Sequence, residues 1–148
     1  ITNPEMTRFL MSLEESVDLV LYAFKNGKSG EIFVHKAPSS TIKNLFIAFK
    51  KIFNKKINFE IIGVRNGEKF HETLISKEEM FRAKNHGKFY IIPPEHKDIN
   101  YDKYFFQGKV NPKIIEEYNS FNTKRLNPDQ VIKVLNKSKH VKSILLND

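Results

Sequence analysis

The stretch Gly63-Val64-Arg65-Asn66-Gly67-Glu68-Lys69 anchors the interpretation of the whole chain. It follows an apolar run, residues 59–62, that predicts a β-strand. Glycine adopts backbone angles closed to other residues and lets a ligand approach the main chain. A guanidinium between two glycines presents a planar fork of donors suited to phosphate. We therefore predict a tight turn at the end of a strand, with Arg65 and Glu68 projecting from it. A surface turn with a solvated salt bridge is the alternative.

Length and composition bound the class of protein. The chain has 148 residues, enough for one modest domain with its own core. It has no cysteine, which excludes a disulfide framework and suits a reducing cytoplasm. No apolar run approaches the roughly 20 residues that span a bilayer, and no signal peptide opens the chain. We expect a cytoplasmic protein, and the initial Ile suggests a piece of a longer chain.

The formal net charge of +8 raises the hypothesis of nucleic-acid binding. The basic residues are mostly lysines scattered through every segment, and only Arg8, Arg65, Arg82 and Arg125 are arginines. Frequent Lys, Ile and Asn are typical of a compositional bias rather than of a basic groove. We predict no nucleic-acid partner.

Hydrophobic periodicity predicts two amphipathic helices in the first third of the chain. The first covers residues 13–25, follows a capping box in residues 12–15, and stops at Asn26-Gly27. The second begins at residue 42 after a loop at residues 37–41 and is ended by residues 54–56. A short apolar run between the two helices, residues 31–35, predicts a strand.

Beyond the arginine turn the same alternation continues. Residues 76–79 predict a second capping box and a short helix to about residue 85, and residues 89–92 predict a strand stopped by Pro93-Pro94. Alternating helices and strands indicate an α/β fold with a small sheet. A sheet of three strands is too small to be stable alone.

The last third divides into an aromatic loop and a tail. Residues 95–111 show no period, and their Tyr104-Phe105-Phe106 run suits either packing on the body or a lid over a ligand. Asn127, Pro128 and Gln130 predict the capped start of a final helix to about residue 137. The apolar residues 144–146 either extend that helix or dock the tail. We accordingly divide the chain into residues 1–94 and residues 95–148.

Three stretches together resemble one protein family. Residues 61–74, Ile-Ile-Gly-Val-Arg-Asn-Gly-Glu-Lys-Phe-His-Glu-Thr-Leu, resemble the R-x-G-E-K-x-x-E-x-L segment of bacterial nucleotide-sugar 4,6-dehydratases and epimerases. These are extended short-chain dehydrogenase/reductases that make capsule and O-antigen precursors. Residues 3–11 resemble that family's P-x-M-T-R-F/Y-x-M stretch, and residues 117–126 resemble the E-Y-x-S-x-N-T-x-R-L signature of its capsular-polysaccharide branch. The matches occur in the family's order.

The resemblance implies that this chain is the C-terminal, substrate-binding portion of such an enzyme. The chain has no Gly-x-Gly-x-x-Gly fingerprint, no Tyr-x-x-x-Lys pair, and only dispersed histidines. We therefore assign no catalytic, cofactor-binding or metal-ligating residue to it and expect the segment alone to be inactive. By resemblance, the Rossmann half, its bound NAD or NADP, and the catalytic Thr, Tyr and Lys lie upstream of Ile1.

The resemblance also implies a UDP-sugar substrate, UDP-N-acetylglucosamine in the first instance. Arg65 would bind the diphosphate, Glu68 would accept a hydrogen bond from a sugar or ribose hydroxyl, and Arg8 would be a second cationic contact. The alternative for Arg8 is a salt bridge from its loop to the first helix. For Asn122 and Arg125 in the tail signature, structural or subunit-contact roles are favoured.

The parent reaction would begin with oxidation at C4 of the sugar, which passes a hydride to NAD(P)+. The resulting 4-keto group acidifies the C5 hydrogen and permits loss of water across C5–C6, or epimerisation. A fragment of a UDP-glucose 4-epimerase is the sister possibility. A non-enzymatic oligomerisation module is an alternative of a different class, since members of this family form homo-oligomers.

Overall fold

The computed structural model describes residues 1–54, 56–94 and 116–147. In that part of the chain, seven short strands and five helices confirm the predicted α/β class. The elements in chain order are β1 (Thr7–Phe9), α1 (Leu13–Asn26), β2 (Ile32–His35), β3 (Ser39–Thr41), α2 (Ile42–Ile52), β4 (Thr73–Ile75), α3 (Lys77–Arg82), β5 (Lys84–His86), β6 (Phe89–Ile92), β7 (Tyr118–Asn119), α4 (Pro128–Leu135) and α5 (Lys139–Asn147).

The strands form three small antiparallel sheets. β1 pairs with β3, β6 lies between β2 and β5, and β4 pairs with β7. In the first sheet Arg8 lies opposite Ser40. Because none of the described sheets exceeds three strands, their stability depends on the helices and loops packed around them.

Predicted helix starts are confirmed in detail. Ser12 accepts a hydrogen bond from the Glu15 backbone while the Glu15 side chain accepts one from the Ser12 backbone, and Gly27 ends α1. Ser76 and Glu79 form the same reciprocal pair at α3. At α4, Asn127 is the N-cap, Pro128 stands in the first turn, and the box is closed by Gln130.

The predicted strand at residues 59–62 is wrong. Its backbone pairs with the first residue of the chain instead: the Ile1 ammonium donates to the Glu60 carbonyl at 2.7 Å, and the Ile62 N–H donates to the Ile1 carbonyl at 3.0 Å. Ile61 and Ile62 are 59% and 60% exposed, so the apolar run has no neighbouring sheet within the described residues. The prediction rested on hydrophobicity alone, and among the described residues no strand lies beside this run to form a sheet with it.

Other predicted boundaries also need correction. The loop predicted at residues 37–41 contains β3, and the segment around Arg8, also expected to be a loop, contains its partner strand β1. The helix predicted to reach residue 85 ends at Arg82, because the following residues form a hairpin with β6 around Gly87, whose φ is +59°. The helix predicted to reach residue 137 ends at Leu135, and α5 follows it. The aromatic run Tyr104-Phe105-Phe106 lies outside the described residues.

Two core clusters hold the elements together. Val34, Ile75, Ile92 and Tyr118 form the first cluster. The second is formed by Ala48 of α2, Leu126, and Val131 of α4. Each cluster joins residues from the first two-thirds of the chain to residues from the tail. The tail is therefore built into the same cores, while the division of the chain at residue 94 stays a prediction.

Candidate functional site

The predicted tight turn at Arg65 is confirmed. The Glu68 N–H donates to the Arg65 carbonyl at 3.1 Å, which closes a four-residue turn. Gly67, at the third position, has φ +79°, and Gly63 before the turn has φ +82°. A Cβ at either glycine would meet no atom within 4 Å. The requirement for glycine therefore comes from the left-handed backbone angle rather than from lack of space.

Glu68 closes the turn with its carboxylate. Oε2 accepts from the Arg65 N–H at 3.2 Å, and Oε1 accepts from the Thr2 hydroxyl at 2.9 Å. The backbone hydrogen bond from Arg65 is the main cause that lowers the pKa of Glu68, followed by the Thr2 hydrogen bond and the charges of Arg8 and Arg65. Each carboxylate oxygen of Glu68 already accepts one hydrogen bond within the protein. The predicted role of Glu68 toward a sugar or ribose hydroxyl stays a prediction.

Arg8 lies beside this turn and joins it to the N-terminal segment. Its Nη1 donates to the Thr7 carbonyl at 2.8 Å. Its Nη2 is 3.6 Å from Glu68 Oε1, and its Nε is 3.6 Å from Glu72 Oε1. The alternative prediction, a salt bridge between Arg8 and the first helix, is wrong. Arg8 forms ion pairs, but its partners are Glu68 and Glu72 rather than residues of α1. The two sequence motifs that carry Arg8 and Arg65 thus converge through Glu68.

Arg65 differs from Arg8 in having its donors available. Its side chain is exposed, and across residues 1–54, 56–94 and 116–147 its guanidinium has no hydrogen bond or ion pair. Its positive charge acts on the Glu68 carboxylate. An exposed guanidinium held at a rigid turn can bind an oxyanion without breaking an existing ion pair.

An apolar cavity of about 570 Å³ adjoins the ion pair between Arg8 and Glu72. Phe9, Phe33 and Leu74 contribute apolar wall, and Lys69 and Glu72 contribute charge. Glu72 is shared between this cavity and the ion pair with Arg8. The site therefore combines a charged cluster with an apolar recess, a combination typical of sites that bind a polar ligand with an apolar face.

Sequence reasoning missed a buried hydroxyl cluster behind Arg8. Thr7 and Ser120 are 1% and 0% exposed, and their hydroxyl oxygens are 2.6 Å apart. Thr7 Oγ1 is also 2.8 Å from His71 Nδ1. The serine of the tail signature could have indicated this cluster, but nothing local in the sequence predicts a contact between residues 113 positions apart.

Asn122 and Arg125 of the tail signature are engaged in local contacts. The Asn122 amide donates to the Glu117 carbonyl at 2.6 Å and accepts from the Asn119 N–H at 3.0 Å. The Arg125 guanidinium donates to the Phe121 carbonyl and lies 4.8 Å from the centre of the Phe121 ring. These contacts agree with the structural roles favoured for both residues.

In residues 1–54, 56–94 and 116–147, no group of three or more His, Asp or Glu side chains is arranged to hold a metal ion. None of the helices found there is long and apolar enough to cross a membrane.

Comparison with known proteins gives a family. The profile of the family described as "Polysaccharide biosynthesis protein" matches residues 1–94, and the profile described as "Polysaccharide biosynthesis protein C-terminal" matches residues 95–142. The first profile alone covers more than half of the chain. The resemblance seen in the sequence motifs is thereby confirmed at the level of the family.

Curated relatives match over nearly the whole chain. A protein of Rickettsia felis named UDP-glucose 4-epimerase is 50% identical over 99% of this chain, and one of Rickettsia akari with the same name is 52% identical over 91%. The chain covers 43% and 40% of those relatives, so it spans less than half of their length. A solved structure titled "X-ray structure of Pen from Bacillus thuringiensis" shares the fold, with a TM-score of 0.73 over 93% of this chain and 39% of its own, at 24% identity.

Proposed function

Because the chain belongs to the polysaccharide biosynthesis protein family, we propose that it is the UDP-sugar-binding portion of a nucleotide-sugar 4,6-dehydratase or epimerase. The observation that carries this proposal is the turn that leaves the Arg65 side chain exposed and whose Glu68 carboxylate pairs with Arg8. In the proposed complex, Arg65 binds the diphosphate and Arg8 is a second cationic contact. A diphosphate needs such charge-assisted hydrogen bonds when it leaves water.

The complete protein, on this proposal, also contains an N-terminal Rossmann domain that holds NAD or NADP. The apolar face of α1 supports this part of the proposal: the helix buries none of its residues within the described part of the chain. Leu13, Leu21 and Phe24 are 78%, 60% and 84% exposed. An apolar surface of this kind on a helix marks a contact site. The N-terminal domain of the same polypeptide would cover it.

We propose UDP-N-acetylglucosamine as the substrate, in the cytoplasm, for surface-polysaccharide precursors. NAD(P)+ held by the N-terminal domain would supply the hydride chemistry at C4 of the sugar, while Arg65 and Arg8 of this chain would hold the diphosphate. UDP-glucose 4-epimerase activity is the second candidate, favoured by the name of the Rickettsia relatives.

Product analysis with the complete protein tests these two activities. UDP-N-acetylglucosamine and UDP-glucose are incubated separately with the protein and NAD(P)+, and the products are identified by NMR. A 4-keto-6-deoxy sugar nucleotide from UDP-N-acetylglucosamine supports the dehydratase. A galacto epimer from UDP-glucose supports the epimerase, and failure of both reactions would overturn the proposed enzyme class.

A homo-oligomerisation module is a candidate of another class, favoured by the same exposed face of α1. Sedimentation of the isolated 148-residue chain tests it. Self-association at high concentration that is abolished by Phe24→Glu would support this role. A strict monomer at every concentration counts against it.

A further inference from the structure

We propose that Ser120 of the tail is the positioning residue for the Arg8 guanidinium. This inference rests on the proposed function, in which Arg8 contacts the UDP-sugar. Ser120 is 0% exposed and lies in the turn that follows β7. It therefore acts on a ligand only through the residues that it holds in place.

The Ser120 side chain holds the first anchor of Arg8. Its hydroxyl donates to the Thr7 carbonyl at 3.1 Å, and the same carbonyl accepts from Arg8 Nη1 at 2.8 Å. A carbonyl oxygen has two lone pairs, so it accommodates both donors. The position of the Thr7 carbonyl thus fixes one side of the guanidinium.

Ser120 also holds the second anchor. Its hydroxyl accepts from the Glu72 N–H at 2.9 Å, and its own N–H donates to the Glu72 carbonyl at 2.8 Å. The Glu72 carboxylate in turn lies 3.6 Å from Arg8 Nε and accepts from the Phe9 N–H at 3.3 Å. The Thr7 carbonyl and the Glu72 carboxylate therefore both belong to residues tied to Ser120, whereas the third group beside the guanidinium, the Glu68 carboxylate, belongs to the arginine turn.

The hydroxyl of Ser120 is used completely in this arrangement. A serine hydroxyl has one proton to donate and two lone pairs. The Thr7 carbonyl lies within reach of the proton at 3.1 Å, the Glu72 N–H donates to the oxygen, and the Thr7 hydroxyl oxygen lies 2.6 Å away, where either hydroxyl can be the donor. Removal of the hydroxyl leaves these buried groups without a shared partner, and Thr7 and Glu72 can then shift apart.

The test measures the dissociation constant of UDP with the complete protein by calorimetry. Ser120→Ala is expected to raise this constant about fivefold to tenfold, the equivalent of one lost hydrogen bond. Thr123→Val is the matched control, because the half-buried Thr123 hydroxyl also joins the tail to the rest of the chain and has its hydrogen bonds with Ala37, at 3.1 Å, and Tyr118. The control should bind UDP as the wild type does.

The coupling between Ser120 and Arg8 separates positioning from general destabilisation. In an Arg8→Ala background, Ser120→Ala should change the dissociation constant less than twofold. Full additivity, equal weakening by Thr123→Val, or unchanged binding by Ser120→Ala would each overturn the inference. If Ser120→Ala does not fold, Ser120→Cys serves instead, because it keeps the size of the side chain with a weaker hydrogen-bonding group.

The same measurements distinguish failure of this inference from failure of the proposed function. If Arg8→Ala and Arg65→Ala weaken UDP binding while Ser120→Ala does not, only the positioning role is wrong. If neither arginine variant changes the dissociation constant of UDP, the proposed binding site is wrong, and the role of Ser120 is wrong with it.

Discussion

At the scale of single residues, Arg8 and Arg65 have opposite situations within one cluster. Arg8 is held by a backbone carbonyl and two carboxylates, whereas the Arg65 guanidinium has no such partner in the part of the chain that the structure describes. Loss of Arg65 therefore removes little from the folded protein itself. Replacement of Arg65 is expected to weaken ligand binding without a loss of stability, whereas replacement of Arg8 should reduce both.

Arg65→Ala in the complete protein should raise KM for the UDP-sugar about tenfold to a hundredfold, the equivalent of a charge-assisted hydrogen bond. The melting temperature should change little, because the side chain is exposed. Steady-state kinetics and thermal unfolding measure the two effects. Arg125→Ala, which removes another exposed arginine, is the control and should leave KM unchanged. Equal changes in both variants would assign the effect to net charge.

Glu68 makes the turn sensitive to acid. Its pKa is lowered in the folded protein, mainly by the Arg65 backbone hydrogen bond, so its stabilising effect is fully present above the pKa of an unfolded glutamate. The effect is lost as the pH falls from that value through the lowered native pKa. The difference in unfolding free energy between wild type and Glu68→Gln should therefore be constant near neutrality and shrink in acid. A difference that grows in acid would contradict this sign.

At the scale of elements, α1 depends on its own sequence more than on its packing. No residue of α1 is buried in the described part of the chain, while its start carries a complete capping box and Glu14 and Glu15 lie in the first turn. A capped start with acidic residues in the first turn stabilises a helix that buries none of its residues.

Ser12→Ala should lower the unfolding free energy of the isolated chain by about 1 kcal/mol, because the cap of α1 is lost. Amide hydrogen exchange should rise mainly in residues 13–26, whose first backbone donors lose their partner. Lys25→Ala, in the last turn of the same helix, is the control, because alanine has the higher helix propensity and the cap at Ser12 stays intact. Uniform acceleration of exchange throughout the chain would contradict a local effect.

Sequence reasoning succeeded where local rules decide the structure. The capping boxes at Ser12, Ser76 and Asn127 and the turn at Arg65 depend on residues within four positions of one another. It failed where distant pairing decides, as for β1 with β3 and β4 with β7. These strands have only two or three residues, too few for an alternating pattern to be visible.

The candidate site divides in the same way. The sequence motifs predicted Arg8, Arg65 and Glu68 as site residues, and the ion pair between Arg8 and Glu68 shows that two of them are in contact. The contacts of Ser120 with Thr7 and Glu72 could not be predicted from the chain, because they join segments that are far apart in sequence. A long-range contact of this kind requires the fold.

At the scale of the whole molecule, the chain has well-buried cores and one large apolar face without a cover in its described part. Ile75 is 0% exposed at the centre of the first core cluster, while Phe24 on α1 is 84% exposed. On the proposed function, the N-terminal domain of the complete protein would cover this exposed apolar face.

Phe24→Ala should leave the isolated chain as stable as before but destabilise the complete protein, in which the N-terminal domain would cover α1. Ile75→Ala is the comparison and should lower the unfolding free energy by about 2–5 kcal/mol in both, because it opens a cavity in the core. Denaturant unfolding of the four variant proteins measures this. If Phe24→Ala has no effect in the complete protein, α1 is not the domain interface.

A crystal structure of the complete protein with bound UDP tests directly whether Arg65 binds the diphosphate. The measured quantity is the distance from the Arg65 guanidinium nitrogens to the nearest diphosphate oxygen. We predict a hydrogen bond of about 2.7–3.2 Å, with Arg8 on the same side of the ligand. A diphosphate bound elsewhere, with the Arg65 side chain directed into solvent, would contradict it.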